Sequence, residues 1–113
     1  MKSDLSSRHC ESCEGIGAAL TPAQVKNLMP QITNAWEVSK DYKQLKRSFS
    51  FKNFYETMAF VNALAWIANS ENHHPDLEVG YNYCHVRFNT HALQGLSHND
   101  FICAAKTDAL LMS

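Results

Sequence analysis

Residues 51–70 read FKNFYETMAFVNALAWIANS, the clearest helical signal in the chain. Phe54, Met58, Val61, Ala65 and Ala68 recur at helical spacing as one apolar stripe, and Phe60, Leu64 and Ile67 widen it. Ser50 stands where an N-cap is needed, and Asn69, Ser70 and Asn72 end the run. A helix this apolar has to lie across a sheet, so strands are expected on either side.

Two strands precede it. Residues 35–39 form a short one with Trp36 and Val38 on one face. Residues 42–51 form a longer one whose odd positions, Lys43, Leu45, Arg47, Phe49 and Phe51, alternate with mostly polar neighbours. Lys40-Asp41 connects them as a hairpin, and Arg47 interrupts the apolar face. A second hairpin follows the helix. Residues 83–90 place Cys84, Val86 and Phe88 on one side and Tyr83, His85, Arg87 and Asn89 on the other, after a strand at 77–81.

Helices open and close the domain. Thr21-Pro22-Ala23-Gln24 is a capping box with Pro at the first helical position. Val25, Leu28, Met29 and Ile32 follow at helical spacing, and Pro30 closes that helix early. Ser97-His98-Asn99-Asp100 caps a last helix in which Ile102, Ala105, Ala109 and Met112 are expected to face inward. The order αββαββα predicts an α+β fold, a single domain over residues 21–113, with a four-stranded antiparallel sheet and its helices packed on one face. Residues 1–20 lack periodicity and are expected as a flexible N-terminal arm.

The 113 residues suffice for one domain, and 45% apolar content supports a real core. A formal charge of −1 with no Lys/Arg run argues against nucleic acid as a partner. No run approaches a membrane span, and the first residues do not resemble an export signal, so a cytoplasmic location and reduced cysteines are expected. His9-Cys10-Glu11-Ser12-Cys13 suggests a metal or redox site, but at most three ligands stand there where structural zinc needs four. A flexible reduced tail is the plainer reading. Cys84 and Cys103 read as small core residues, His85 as a residue of the sheet surface, and His98 as a solvated helix start.

Three of the six histidines come to one end of the sheet if the second hairpin turns near Asn82-Tyr83, which pairs His74 with His91 and brings His73 beside them. Pro75 favours extended backbone at His74. Imidazole titrates near neutral pH and serves as acid or base without a large shift. Two other readings remain open on spacing alone: metal ligation, and a His-His-Pro that merely ends a helix and starts a strand.

Glu71-Asn72-His73-His74-Pro75-Asp76, Tyr81-Asn82, Asn89-Thr90-His91 and Gly95-Leu96-Ser97 with Asn99-Asp100, together with Trp36 and Phe51-Lys52-Asn53-Phe54, resemble the pterin-4a-carbinolamine dehydratase family over about residues 21–113. The resemblance implies an enzyme, a hydro-lyase that turns 4a-hydroxytetrahydropterin into quinonoid dihydropterin and water, recycling the cofactor of aromatic amino-acid hydroxylases. It implies no metal and no organic cofactor. It makes His73, His74 and His91 catalytic, with His73 and His91 moving protons and His74 orienting the substrate. Asn72, Asn89, Thr90 and Ala92, with the histidines, hold the pterin, and Trp36 stands at the pocket wall. A homodimer or homotetramer is implied too. Asn69, with Glu71 after it, and Asn99 depart from the family pattern. The alternative is a non-catalytic dimerisation or assembly module on the same scaffold, whose degenerate examples typically lack the histidine set.

Overall fold

The computed structural model describes residues 4–11 and 17–111. Its elements run α1 (Pro22–Leu28), β1 (Glu37–Val38), β2 (Leu45–Ser50), α2 (Phe54–Glu71), β3 (Asp76–Val79), β4 (Tyr83–Phe88) and α3 (His98–Ala109), the expected αββαββα order. The four strands form one antiparallel sheet in the order β1-β2-β4-β3.

Alternation in β2 and β4 decides which face is covered. Leu45 and Phe49 pair with Phe88 and Cys84, and these, with Val86, are buried under Phe60, Leu64, Phe101 and Ile102 of the helices. The opposite face carries Ser48 and His85, whose Nδ1 lies 2.8 Å from the Ser48 hydroxyl. Aromatic rings knit the covered side: Phe49 and Phe60 are 4.5 Å apart between centroids, and Trp36 and Phe88 are 6.0 Å apart. Arg47, the interruption in the apolar face, is absorbed by an ion pair with Asp108 of α3 and lies over the Phe49 ring, 4.4 Å from its centroid.

The boundaries differ from expectation where caps and turns compete with hydropathy. The Thr21–Gln24 capping box and the Ser97–Asp100 capping box both form. Ser50, however, belongs to β2, and α2 is capped instead by Asn53, whose side chain accepts from the Glu56 N–H at 3.0 Å. Lys43 lies in the turn before β2, where Tyr42 takes a positive φ of 58°. The buried face of α2 consists of Thr57, Phe60, Leu64, Ile67 and Ala68, rotated from the expected stripe, while Phe54 is 49% exposed. In α3 the buried residues include Phe101, Ile102, Cys103, Ala104 and Thr107; Ala109 is exposed, and Met112 lies outside the described residues.

Residues 4–11 are docked, in contrast to the expected loose arm. Asp4–Ser7 make a 3-10 turn whose Leu5 is 1% exposed in the core.

Candidate active site

The C-terminal end of α2 positions the first two histidines. Asn72 adopts the left-handed conformation (φ 53°, ψ 42°) that Asn tolerates better than most residues, and its N–H and that of His73 turn back to the carbonyl of Ala68. The chain then leaves the helix with His73 directed inward, 7% exposed, and His74 outward. His73 stacks against Phe88 of β4, with centroids 6.2 Å apart and planes 8° from parallel.

The His73 imidazole meets the first turn of α3. Its Nε2 is 2.6 Å from Asp100 Oδ1. The other carboxylate oxygen, Oδ2, accepts from Thr90 Oγ1 at 2.8 Å and from the Ser97 N–H at 2.9 Å. Thr90 Oγ1 is also 2.8 Å from Ser97 Oγ. Asp100, Ser97 and Thr90 are each at most 1% exposed, and a buried carboxylate with this many donors is stable where a lone one is not. An Asp that accepts from Nε2–H holds the ring in one tautomer, leaving Nδ1 as the basic nitrogen. No described residue bonds that Nδ1.

The sequence marks Asp100 as a helix cap and does not show its second role, as the partner of His73. The cap itself was the signal: an acidic third helical residue with two oxygens has one to spare.

Thr90 carries the network to the third histidine. His91–Leu93 form a 3-10 turn ended by Gln94 in the left-handed region, and Thr90 bridges Gly95 through its N–H at 2.8 Å. Gly95 is required there: a Cβ on it would stand 2.9 Å from the Cβ of Ala19. The turn leaves His91 and Ala92 exposed. Asn89, Thr90 and His91 line a hollow of about 210 Å³ together with Lys43, Gln94 and Gly95. Lys43, expected in the strand, lies in the turn after Tyr42 and lines this hollow.

The hairpin register that grouped the histidines is off by two residues. The observed pairs run from Asp76 with Arg87 to Val79 with Cys84, around a turn in which the Gly80 N–H bonds the Tyr83 carbonyl. Continued, this register sets His73, not His74, against the Thr90 position. His73 and Thr90 do meet, through Asp100. His74 instead lies 3.1 Å from Asn69 Oδ1 at the end of α2.

Trp36, expected at a pocket wall, is in the core. It is 3% exposed, and its indole N–H donates to Asp108 Oδ1 at 2.8 Å. It reaches His73 only through Phe88.

A larger cleft of about 600 Å³ opens elsewhere, between the 4–7 turn, α2 and α3, and none of the three histidines lines it. The hollow at His91 is the smaller but carries the convergent polar groups. Among the described residues no three His, Cys, Asp or Glu side chains are grouped to hold a metal ion, and no helix is long and apolar enough to cross a membrane.

A buried His–Asp pair lies at one end of a small α+β sheet, with His74 and His91 exposed at the segments that flank it. The chain belongs to the pterin 4 alpha carbinolamine dehydratase family, whose model matches residues 18–110. That family is one of hydro-lyases. The chain is 76% identical, over 99% of both chains, to a protein of Legionella pneumophila (strain Lens) named "Putative pterin-4-alpha-carbinolamine dehydratase". A protein of the same name from Nitrosomonas eutropha is 52% identical over 97% of this chain and 96% of its own. Among solved structures, a transcriptional coactivator/pterin dehydratase from Brucella melitensis superposes with a TM-score of 0.76 at 27% identity, covering 81% of this chain and 97% of that one. A pterin dehydratase-like protein described as a RuBisCO assembly factor in the alpha-carboxysome is also similar, with a TM-score of 0.61 at 26% identity over 71% of this chain and 93% of its own.

Proposed function

We propose that this chain dehydrates a 4a-hydroxytetrahydropterin to quinonoid dihydropterin and water, recycling the cofactor of an aromatic amino-acid hydroxylase in the cytoplasm. The observation that carries the reading is the buried His73–Asp100 pair at 2.6 Å, with the His73 Nδ1 unbonded among the described residues. Loss of water from a carbinolamine needs one proton delivered and one removed. His73 Nδ1 takes the proton of the ring N–H beside the carbinol carbon. The electron pair of that N–H bond becomes the new C=N bond, and the C–O bond breaks. His91, exposed on its turn, delivers a proton to the departing hydroxyl, which leaves as water. His74 orients the ring, and Asn72, Asn89, Thr90 and Ala92 hold its polar edge. Trp36 acts from behind, by packing Phe88 under His73.

Self-association as a homodimer or homotetramer belongs to the same reading. Tyr55 is 89% exposed and Trp66 71% exposed on α2, and Leu77 and Val79 are open on the edge strand β3, which is the kind of surface a second copy covers.

The test generates the carbinolamine in place with a phenylalanine hydroxylase and follows quinonoid product by absorbance. The parent protein accelerates its formation above the spontaneous rate, and folded His73→Ala and His91→Ala variants lose about 10²-fold or more of that acceleration. A parent without acceleration would leave the non-catalytic assembly reading, which the likeness to the carboxysome assembly factor favours.

A further inference from the structure

The dehydratase reading leaves the cysteines of the arm without a role. Cys10 Sγ lies 3.5 Å from Cys103 Sγ, across 93 residues of chain. Both are free thiols in this structure. Cys10 is half-buried and Cys103 fully buried in α3. The approach is not a chance contact of a dangling tail, because the residues around it are tied down on three sides. The N–H of Cys10 donates to Glu71 Oε1 at 2.8 Å, and His9 Nδ1 lies 2.9 Å from Glu71 Oε2. Glu11 exchanges two hydrogen bonds with the Asn99 side chain: its N–H donates to Oδ1 at 2.9 Å, and its carbonyl accepts from Nδ2 at 2.8 Å. Lys106 Nζ donates to the Ser6 carbonyl at 2.9 Å. Glu71 and Asn99, far along the chain, both hold the arm.

We propose that Cys10 and Cys103 form a redox pair that closes into a disulfide on exposure to a peroxide, locking the arm against the ends of α2 and α3 that carry His73 and Asp100. The sulfurs need to approach by about 1.5 Å to reach the bonded distance of about 2.05 Å. The chemistry divides between the two thiols by burial. Contact with Cys10 and burial together push the Cys103 thiol far above its ordinary range, so Cys10 is the one that meets the oxidant. The Cys10 sulfur attacks hydrogen peroxide, the O–O bond breaks, and a sulfenic acid and one water result. The Cys103 sulfur then attacks the Cys10 sulfur. The S–O bond breaks, and hydroxide leaves as a second water with the Cys103 proton. Two thiols are oxidised and one peroxide is reduced. Cys84 lies under the sheet, where burial raises its thiol, and takes no part. Switchable disulfides of this kind are those a reducing compartment tolerates.

The test treats the full-length, fully reduced protein with a few equivalents of hydrogen peroxide, blocks the remaining thiols by alkylation, and maps the peptides without reduction. Two of the four thiols disappear, and the linked peptides contain Cys10 and Cys103. Cys13→Ser and Cys84→Ser variants give the same link, and Cys10→Ser, which alters only the half-exposed partner, loses it. Oxidation of the parent raises the unfolding midpoint by at least about 5 °C, reversed by a dithiol reductant. A Cys10–Cys13 link, a link between two chains, or a Cys10 sulfinic acid with Cys103 still free overturns the proposal.

Discussion

Two aspartates of α3, Asp100 and Asp108, are both buried and both saturated with donors, yet they serve different ends. Asp100 accepts from His73, Thr90 and the Ser97 N–H. Asp108 accepts from Arg47, the Trp36 indole and the Thr33 N–H. The carboxylates are alike in burial, at 0% and 6% exposed. The partner decides the outcome. Guanidinium stays charged at any relevant pH, so Asp108 can only hold β2, α3 and the 33–36 segment together. Imidazole has a second nitrogen, so in the proposed mechanism Asp100 orients a ring that keeps one nitrogen for the substrate. A buried ion pair is therefore no sign of a functional site until its titratable member has a free atom facing outward.

Breaking the structural member of the comparison has the largest effect. Asp108→Ala leaves Arg47 with its side chain only 17% exposed and without its carboxylate, although its Nε already lacks a partner. It also strips the acceptor from the Trp36 indole. Stability falls by about 3–5 kcal/mol in denaturant unfolding, while the turnover of whatever protein remains folded changes little. Unchanged stability would mean that the Arg47–Asp108 pair contributes nothing.

Asp100→Asn does the reverse. The amide oxygen can still serve the Ser97 N–H, so α3 keeps its cap, but the side chain no longer holds the His73 tautomer with Nδ1 basic. Dehydratase activity drops about 10–100-fold, with a smaller loss of stability than Asp108→Ala gives. Equal activity in parent and variant would remove Asp100 from the mechanism and leave it a cap.

A pair of caps sharpens the point further. Ser97→Ala and Asn53→Ala each delete an N-cap and each cost about 1 kcal/mol. Only Ser97 touches Thr90, at 2.8 Å. Activity assays on the two variants should therefore separate where melting curves do not, with Ser97→Ala alone showing a reduced rate.

Much of this architecture can be read from the chain. The element order, the two capping boxes and the inward set Cys84, Val86 and Phe88 follow from local rules, because caps and alternation act over a few residues. The face of α2 does not. Phe54, Met58 and Val61 are as apolar as Phe60, Leu64 and Ile67, so periodicity alone cannot choose between them, and the buried Thr57, whose hydroxyl donates to the Tyr81 carbonyl, looks like a surface residue in sequence. The register expected for the histidine cluster differs by two residues from the one that the turn at Tyr81-Asn82 sets. His73 stands out in the sequence, but its partner Asp100 does not, since a capping residue already has a sufficient explanation. The docking of residues 4–11 depends on Asn99 and Glu71, far along the chain, which no local pattern reports.

The smallest expected effect concerns that docking, and it puts a third carboxylate beside Asp100 and Asp108. Glu71 has a side chain 7% exposed, between His9 and Lys106. Burial alone would raise its pKa, but the Cys10 N–H, His9 and Lys106 outweigh it, and the carboxyl is held below its ordinary 4.5. The docked arm therefore binds its proton later than the free one does. The resulting stabilisation is complete above 4.5 and is lost as pH falls through the lower, docked value. Amide exchange at Cys10 and Glu11, corrected for its intrinsic pH dependence, should show protection that is flat near neutrality and declines as pH falls below 4.5. Glu71→Gln should be less protected at neutral pH and lack the acid decline. Protection in the parent that stays constant down to about pH 3 would show that Glu71 does not fasten the arm, leaving Asn99 and the buried Leu5 to do so.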